Sequence, residues 1–333
     1  MHITVRSSQW APGRAGNLTL SMARTALALD PVFENHETAP GHPESPDRIR
    51  ALIAKLEPLA AECSRIVPKP AEAADVELCH SPAYVREVLR TIQSGAGELA
   101  GGDVSVGPDS GNVALLAVGT ALAATDAVIN GEAGNAFCAV RPPGHHARPE
   151  AAMGFCIFNN VAIAAQHALT RRGLDRVAIV DWDVHHGNGT QEIFYESGEV
   201  LFFSTHQSPW YPGTGRASET GRGAGEGLTL NRPFPAGSGG KEILSAFRDD
   251  LLPALKKFAP QMIFISAGFD SRAGDPLGQF RLTDADFAEM TRLLCEVAGE
   301  HCGGRIVSLL EGGYNTSGLA SAAAAHLQVL ATA

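Results

Sequence analysis

No two cysteines in this sequence are spaced as CxxC, and the six present (Cys63, Cys79, Cys138, Cys156, Cys295 and Cys302) follow no regular framework. A disulfide-stapled scaffold is therefore not indicated, and free thiols in a reducing cytoplasm are expected. Long apolar runs are missing as well. None approaches the ~20 residues of a membrane span, so no membrane association is expected. Positive charge is not in excess either: the 333 residues carry a net charge of −10, which argues against a nucleic-acid partner held through phosphates. An acidic surface would tolerate a cationic substrate, but solubility explains the charge equally well. Repeats and low-complexity linkers are absent. With 44% hydrophobic residues the chain can bury a large core, and one compact domain over residues 25–333 is expected.

Acidic residues are also lacking before Asp30, where Arg6, Arg14 and Arg24 stand among serines and glycines. Residues 1–24 read as an N-terminal extension. Their composition faintly resembles an organellar transit peptide, but no apolar stretch marks a secretory signal. A start codon ahead of Met22, or vector-derived sequence, explains the extension more simply.

What the chain does have is a series of apolar runs that turn abruptly polar. Val177–Val180 has the unbroken apolar character of a buried parallel strand. It runs into Asp181, Trp182, Asp183, Val184, His185, His186, Gly187 and Asn188. In extended backbone alternate side chains share a face, so Asp181, Asp183 and His185 project together. Burying three such groups is costly unless a cation sits among them. A divalent metal held by Asp183 and His185 is one reading; a hydrogen-bonded polar strand terminus is the other.

The rest of the chain repeats the theme. Short strands are expected at Thr25–Leu29 and Arg65–Pro68, with a helix near Arg48 capped by Ser45 or Asp47. His80-Ser81-Pro82 opens a second helix, Gly95–Gly111 is a loop, and Asn112–Asn130 is an alanine-rich helix. A strand at Ala136–Val140 leads to His145 and His146, which are either satisfied core rings or a general base and its electrostatic neighbour. Phe155 precedes a helix over Val161–Leu169 and is either core or one wall of a slot. Further strands are expected at Val200–Ser204, Leu228–Asn231, Gln261–Ala267 and Arg305–Leu310, with helices over Ile243–Phe258 and Asp284–Ala298. Four buried strands thus end in reactive groups: His145 and His146; Asp181, Asp183 and His185; Asp270; Tyr314. In doubly wound parallel sheets, ligands collect beyond the carboxyl ends of the strands. The constellation suits a metal-assisted hydrolase.

Five ordered motifs carry a family resemblance: RPPGHHA at 141–147, GFCIFNN at 154–160, DWDVHHGNGTQ at 181–191, SAGFDSRAGDPLG at 266–278 and LEGGYN at 310–315. Over residues 27–330 the chain resembles the zinc-dependent histone deacetylase superfamily, of the class II type, which includes acetylpolyamine amidohydrolases and bacterial deacetylase-like amidohydrolases. The resemblance implies an α/β fold: a single-domain, open, mostly parallel sheet flanked by helices, arginase-like. It implies one Zn²⁺ per chain on Asp183, His185 and Asp270, leaving open positions for water and a carbonyl. His146 would be the general base and His145 its electrostatic support, with Asp181 and Asn188 as their respective partners. Some members carry Asp where this chain has Asn188. Tyr314 would donate to the developing oxyanion, with Gly312 and Gly313 letting it swing.

The same resemblance assigns Phe155 and Tyr211 to the walls of an acyl-lysine tunnel, and the Gly154 carbonyl to the substrate amide. Arg48 falls beside the cavity through which acetate leaves; Asp103, near the loop that meets the substrate backbone, is either a rim-recognition acid or a solvated loop acid. A structural K⁺ maps onto Asp181, the backbone of Asp183 and His185, Ser204 and the backbone of Thr205. Polyamine-specific eukaryotic relatives carry a glutamate in the segment matching Gly274–Gly278, where this chain has Leu277, so an acylated lysine peptide or a similar small acyl-amide is the expected substrate. An acetylpolyamine deacetylase and an acetoin-utilisation-type deacetylase are the alternatives. A binuclear manganese ureohydrolase would want carboxylates at His186 and Ser271-Arg272, and a non-catalytic acetyl-lysine binder would lack a ligand or the tyrosine. Oligomeric state stays open, a homo-oligomer included.

Overall fold

Among the described residues eight segments pair side by side, all parallel, into one sheet of order β2-β1-β3-β8-β7-β4-β5-β6. They are β1 (Ala26–Ala28), β2 (Ser64–Arg65), β3 (Asn135–Cys138), β4 (Val177–Asp181), β5 (Val200–Gln207), β6 (Thr229–Phe234), β7 (Ile263–Ala267) and β8 (Ile306–Leu310). The computed structural model describes residues 25–99 and 103–333; the expected extension over 1–24 lies outside the described residues. Every expected strand is present, shifted by a few residues at its ends. Strands β3, β4, β7 and β8 are buried along their whole length, as covered parallel strands must be, and this is why they read as unbroken apolar runs.

Among the described residues ten α-helices connect and cover the strands: α1 (Asp47–Leu56), α2 (Ala73–Val76), α3 (Pro82–Gln93), α4 (Ser110–Ile129), α5 (Asn160–Thr170), α6 (Asn188–Phe194), α7 (Gly240–Ala246), α8 (Leu252–Phe258), α9 (Asp284–His301) and α10 (Thr316–Leu330). Helices α1, α10 and α9 pack in a row, while α4 lies against α5 and β3. Ser81 caps α3 by accepting the Tyr84 N–H, with Pro82 in the first turn where no N–H is needed. At α1 neither Ser45 nor Asp47 caps; Pro46 occupies that position, and Asp47 instead pairs with Arg50 on the surface. The helix expected over Ile243–Phe258 is split into α7 and α8 by a π-helical segment, Phe247–Leu251, just ahead of Pro253, which lacks the N–H a regular α-turn would use.

One expectation is revised. Helix α4 spans 20 residues at a mean hydropathy of 1.7, which by length and composition alone would cross a membrane. Its 56% burial lies inside the protein, with Val113, Ala117, Ala121 and Ala124 in the main core and Ala114, Val118 and Leu122 in a second cluster with α3. Small alanine side chains allow that close approach on more than one face.

Candidate active site

The decisive feature of the sheet is that β3, β8, β7 and β4 are consecutive neighbours. Because all run the same way, their carboxyl ends deliver His145 and His146, Tyr314, Asp270, and Asp183 with His185 to one edge. Asp183, His185 and Asp270 converge so that one potential ligand atom of each lies within 4.8 Å of the others. The His185 Nδ1 is 3.0 Å from Asp183 Oδ1 and 3.1 Å from Asp270 Oδ2. Backbone amides fix both carboxylates: the His185 N–H donates to Asp183 Oδ1, the Gly312 N–H to Asp183 Oδ2 and the Val184 N–H to Asp270 Oδ1.

The two carboxylates are fully buried, and among the described residues no lysine or arginine bonds to them. A donor set of two acids and one imidazole, aimed at a common point, fits a divalent cation with positions left open for substrate. Among the described residues it is the one such group of three. The positions a second metal would need are engaged otherwise: His186 bonds Thr214 and Gln191, Ser271 donates to the Trp182 carbonyl, and Arg272 pairs with Asp284.

Glycine at 312 has a steric cause. A Cβ there would stand 2.0 Å from Asp270 Oδ2 and 2.6 Å from Asp183 Oδ2, so only a bare backbone can approach the ligand pair. Gly312 thus has a steric requirement of its own, apart from the expected swing of Tyr314. Gly313, at φ +125°, does use glycine's freedom, but the peptide unit that follows it is held at both ends by Arg48 and Asp275.

The two imidazoles differ in partner. His145 Nδ1 lies 2.9 Å from Asp181 Oδ2, and His146 Nδ1 lies 2.8 Å from Asn188 Oδ1, with ring centroids 4.0 Å apart. Burial disfavours charge on both rings. For His145 it is outweighed by Asp181, Asp183 and Glu311, so its pKa is raised well above the ordinary value. His146, beside a neutral amide, is pushed well below it by burial and then by His145 and His185. Asp270 is pushed up to about 7 by burial and by Asp183.

A cavity of about 270 Å³ opens onto this edge, lined by Asp103, His146, Gly154, Phe155, His185, Trp210, Tyr211, Leu277 and Tyr314. Of the paired imidazoles it reaches His146 and not His145. Trp210 and Tyr211, 38% and 39% exposed, form the mouth, while His146 and His185 are buried inside. Phe155 stands edge-on to Tyr314 at 5.8 Å, and the His146 ring edge-on to Tyr211 at 5.2 Å. The Met153–Cys156 turn presents Phe155 in a left-handed conformation, φ 66°, which few non-glycine residues adopt without a reason.

The remaining expected residues fall near the cavity with different partners. Asp103 is no free rim acid: its carboxylate accepts the Gly154 N–H and the Tyr211 hydroxyl. The Gly154 carbonyl accepts the Cys156 thiol at 3.3 Å. Arg48 is fully buried outside the lining, with its guanidinium 5.1 Å from the Tyr314 ring centroid and bonded to Glu44 and to the carbonyls of Glu311 and Gly313. Asp181 sits opposite Ser204 in register across β4 and β5, and the Ser204 hydroxyl bonds His206 rather than standing free.

Sequence reasoning passed over Glu311. Its buried carboxylate accepts the N–H groups of Gly144 and His145, tying the end of β8 to the loop that carries both histidines. A lone acid closing an apolar strand was the available signal.

Comparison with known proteins agrees with this geometry. Residues 42–330 match the histone deacetylase domain model. The chain belongs to the histone deacetylase family. A protein of Archaeoglobus fulgidus named a probable deacetylase is 43% identical over 298 residues, 88% of this chain and 82% of that one. A histone deacetylase-like amidohydrolase of Pseudomonas aeruginosa is 42% identical over 280 residues, covering 83% and 73%. The crystal structure of the HDA15 HD domain superposes on this deacetylase-family fold with a TM-score of 0.89 at 38% identity, covering 93% and 90%. The expected open parallel sheet is thus the family's fold.

Proposed function

We propose that this deacetylase-family amidohydrolase removes acetyl or short acyl groups from an acylated lysine side chain or a similar linear amide. The observation that carries the reading is the convergence of the Asp183–His185–Asp270 donor set, His146 and Tyr314 on one narrow, ring-lined cavity. Such a slot takes an unbranched aliphatic chain and brings the amide at its tip to the ionisable groups.

Asp183, His185 and Asp270 would hold a single zinc ion. A divalent cation there supplies Lewis acidity toward a carbonyl and lowers the pKa of water. His146, the imidazole that faces the cavity, would take a proton from the attacking water and return it to the departing amine; the Asn188 amide oxygen orients its ring. His145, paired to Asp181, would contribute charge from behind. Tyr314, which lines the same cavity, would donate its hydroxyl to the oxygen that gathers negative charge. Phe155 and Tyr211 would flank the chain of the substrate. Arg48 would stand beside the acetate path. A potassium ion between Asp181 and Ser204 is supported by their register alone.

Leu277 at the mouth supports acyl-lysine over acylated polyamine, since an apolar side chain offers no partner to a second ammonium group. Cytoplasmic residence accords with six unpaired thiols. Metal analysis of the purified protein followed by steady-state kinetics on an acyl-substrate panel tests the reading. One zinc per chain and turnover of acetyl-lysine peptides are expected. A far higher kcat/KM on acetylspermidine or acetylputrescine would reassign the substrate, and no amide hydrolysis by metal-loaded protein would overturn the activity.

A further inference from the structure

Asp275 has no part in the reading above, yet its carboxylate is almost wholly buried and is spent entirely on backbone. Oδ2 accepts the N–H of Tyr314 at 2.7 Å and that of Asn315 at 3.1 Å, while Oδ1 accepts the Leu277 N–H at 2.9 Å. Arg48 reaches the same loop from its other side, its Nε donating to the Gly313 carbonyl at 2.7 Å. The Gly313 carbonyl and the Tyr314 N–H are the two poles of one peptide unit. That unit therefore lies between a guanidinium on its oxygen and a carboxylate on its hydrogen, with its dipole aligned to both charges. Charge-assisted bonds of this kind are roughly twice as strong as neutral ones.

The arrangement answers a problem the sequence creates. Gly312 is forced by the crowding at Asp183 and Asp270, and Gly313 sits at φ +125°, so neither residue before Tyr314 has a side chain to anchor the loop, and its placement rests on backbone bonds. A hydroxyl that must meet a reacting oxygen needs placement to a fraction of an ångström. Rotation about the Gly313 Cα–C bond would swing the Tyr314 ring along with the peptide and would break both bonds at once. After Tyr314 the chain is fixed again, because Asn315 caps α10 by accepting the Gly318 N–H.

We propose that Asp275 is a positioning residue: it sets where the Tyr314 hydroxyl stands by holding the peptide unit between Gly313 and Tyr314. The inference rests on the hydrolase reading for its kinetic consequence but not for its structural one. Through Leu277 the same carboxylate ties the cavity mouth to that loop, so rim and hydroxyl are held by one group.

A double-mutant cycle with Asp275→Asn and Tyr314→Phe in the full-length, metal-loaded protein tests it on an acetyl-lysine peptide. With tyrosine present, D275N is expected to lower kcat about 10²-fold with little change in KM. In the Y314F background the same change is expected to alter kcat within about twofold. An equal loss in both backgrounds would overturn the proposal, because a general loosening acts whether or not the hydroxyl is there.

A second readout needs no turnover. The chain has four tyrosines, so uniform 3-fluorotyrosine labelling yields four ¹⁹F resonances. D275N should move or broaden the Tyr314 signal, assigned by its loss in Y314F, and leave Tyr84 and Tyr195 in place. A Tyr314 signal unmoved by D275N refutes the placement. If D275N does not fold, Asp275→Ser, which keeps an acceptor, takes its place; unfolding of both would make Asp275 a folding residue and end the proposal. Inactive wild type would sink the hydrolase reading alone, with the ¹⁹F comparison still deciding the role of Asp275.

Discussion

The Tyr211 hydroxyl donates to the Asp103 carboxylate at 2.7 Å, joining two loops across the mouth of the cavity. The same Asp103 oxygen takes the Gly154 N–H at 2.9 Å, so one carboxylate braces both ring-bearing walls. Tyr211→Phe removes one bond of about 1 kcal/mol and frees the 209–215 loop. KM for an acetyl-lysine peptide is expected to rise about fivefold, the equivalent of that energy, with kcat little changed. Asp103→Ala should do more, since it also strands the Gly154 N–H. A fall in kcat with constant KM for Y211F would place its hydroxyl in the chemistry instead.

His146→Ala and Tyr314→Phe are each expected to cut kcat by about 10²–10⁴-fold while metal content stays that of wild type. Tight-binding substrate analogues should still compete. Losses under tenfold in either variant would show that the two roles lie elsewhere.

Asp183→Asn should lose the metal itself. Zinc per chain, read by atomic emission after dialysis, is expected to fall well below one, and the rise in Tm that zinc gives the wild-type apoprotein should vanish. Gly312→Ala is expected to do the same without changing a ligand, because its Cβ would overlap Asp270 Oδ2. Full zinc occupancy in both variants would remove the site from these residues.

His326 offers a prediction far from the chemistry. Burial between α10 and the sheet pushes its pKa down to about 3, and the ring stays neutral between Thr291 and Ser308. The unfolded chain takes up that proton below about 6.5 while the folded chain does not. Its contribution to stability is complete above that pH and is lost as the pH falls toward the folded value. His326→Gln should therefore flatten the pH dependence of unfolding free energy between pH 6 and 5 by about 1 kcal/mol per pH unit. Parallel wild-type and mutant curves would mean the ring titrates normally.

Much of this was legible before any coordinates. Covered parallel strands need apolar residues on both faces, so the four central strands announced themselves, and the polar groups at their ends marked the edge where a ligand collects. The family motifs then picked Asp270 from a distance. What stayed hidden was pairing. Asp275 and Glu311 read as unremarked acids because their partners, Tyr314 and Gly144, come from other loops of the chain. Asp103 looked like a rim acid for the same reason. Helix α10 went unread since its run of alanines gives no one-sided pattern, and it is buried on more than one face.

Strand β8 enters the sheet between β3 and β7, although it is the last strand made. A nascent chain that has not yet emitted residue 306 holds two part-sheets, each with an open apolar edge where the last strand belongs. The histidine loop after β3 cannot be brought against the acid pair after β4 and β7 until that gap closes. Truncated chains ending short of β8 should therefore be insoluble rather than weakly active, and refolding should be slow, gated by one late insertion between distant parts of the chain.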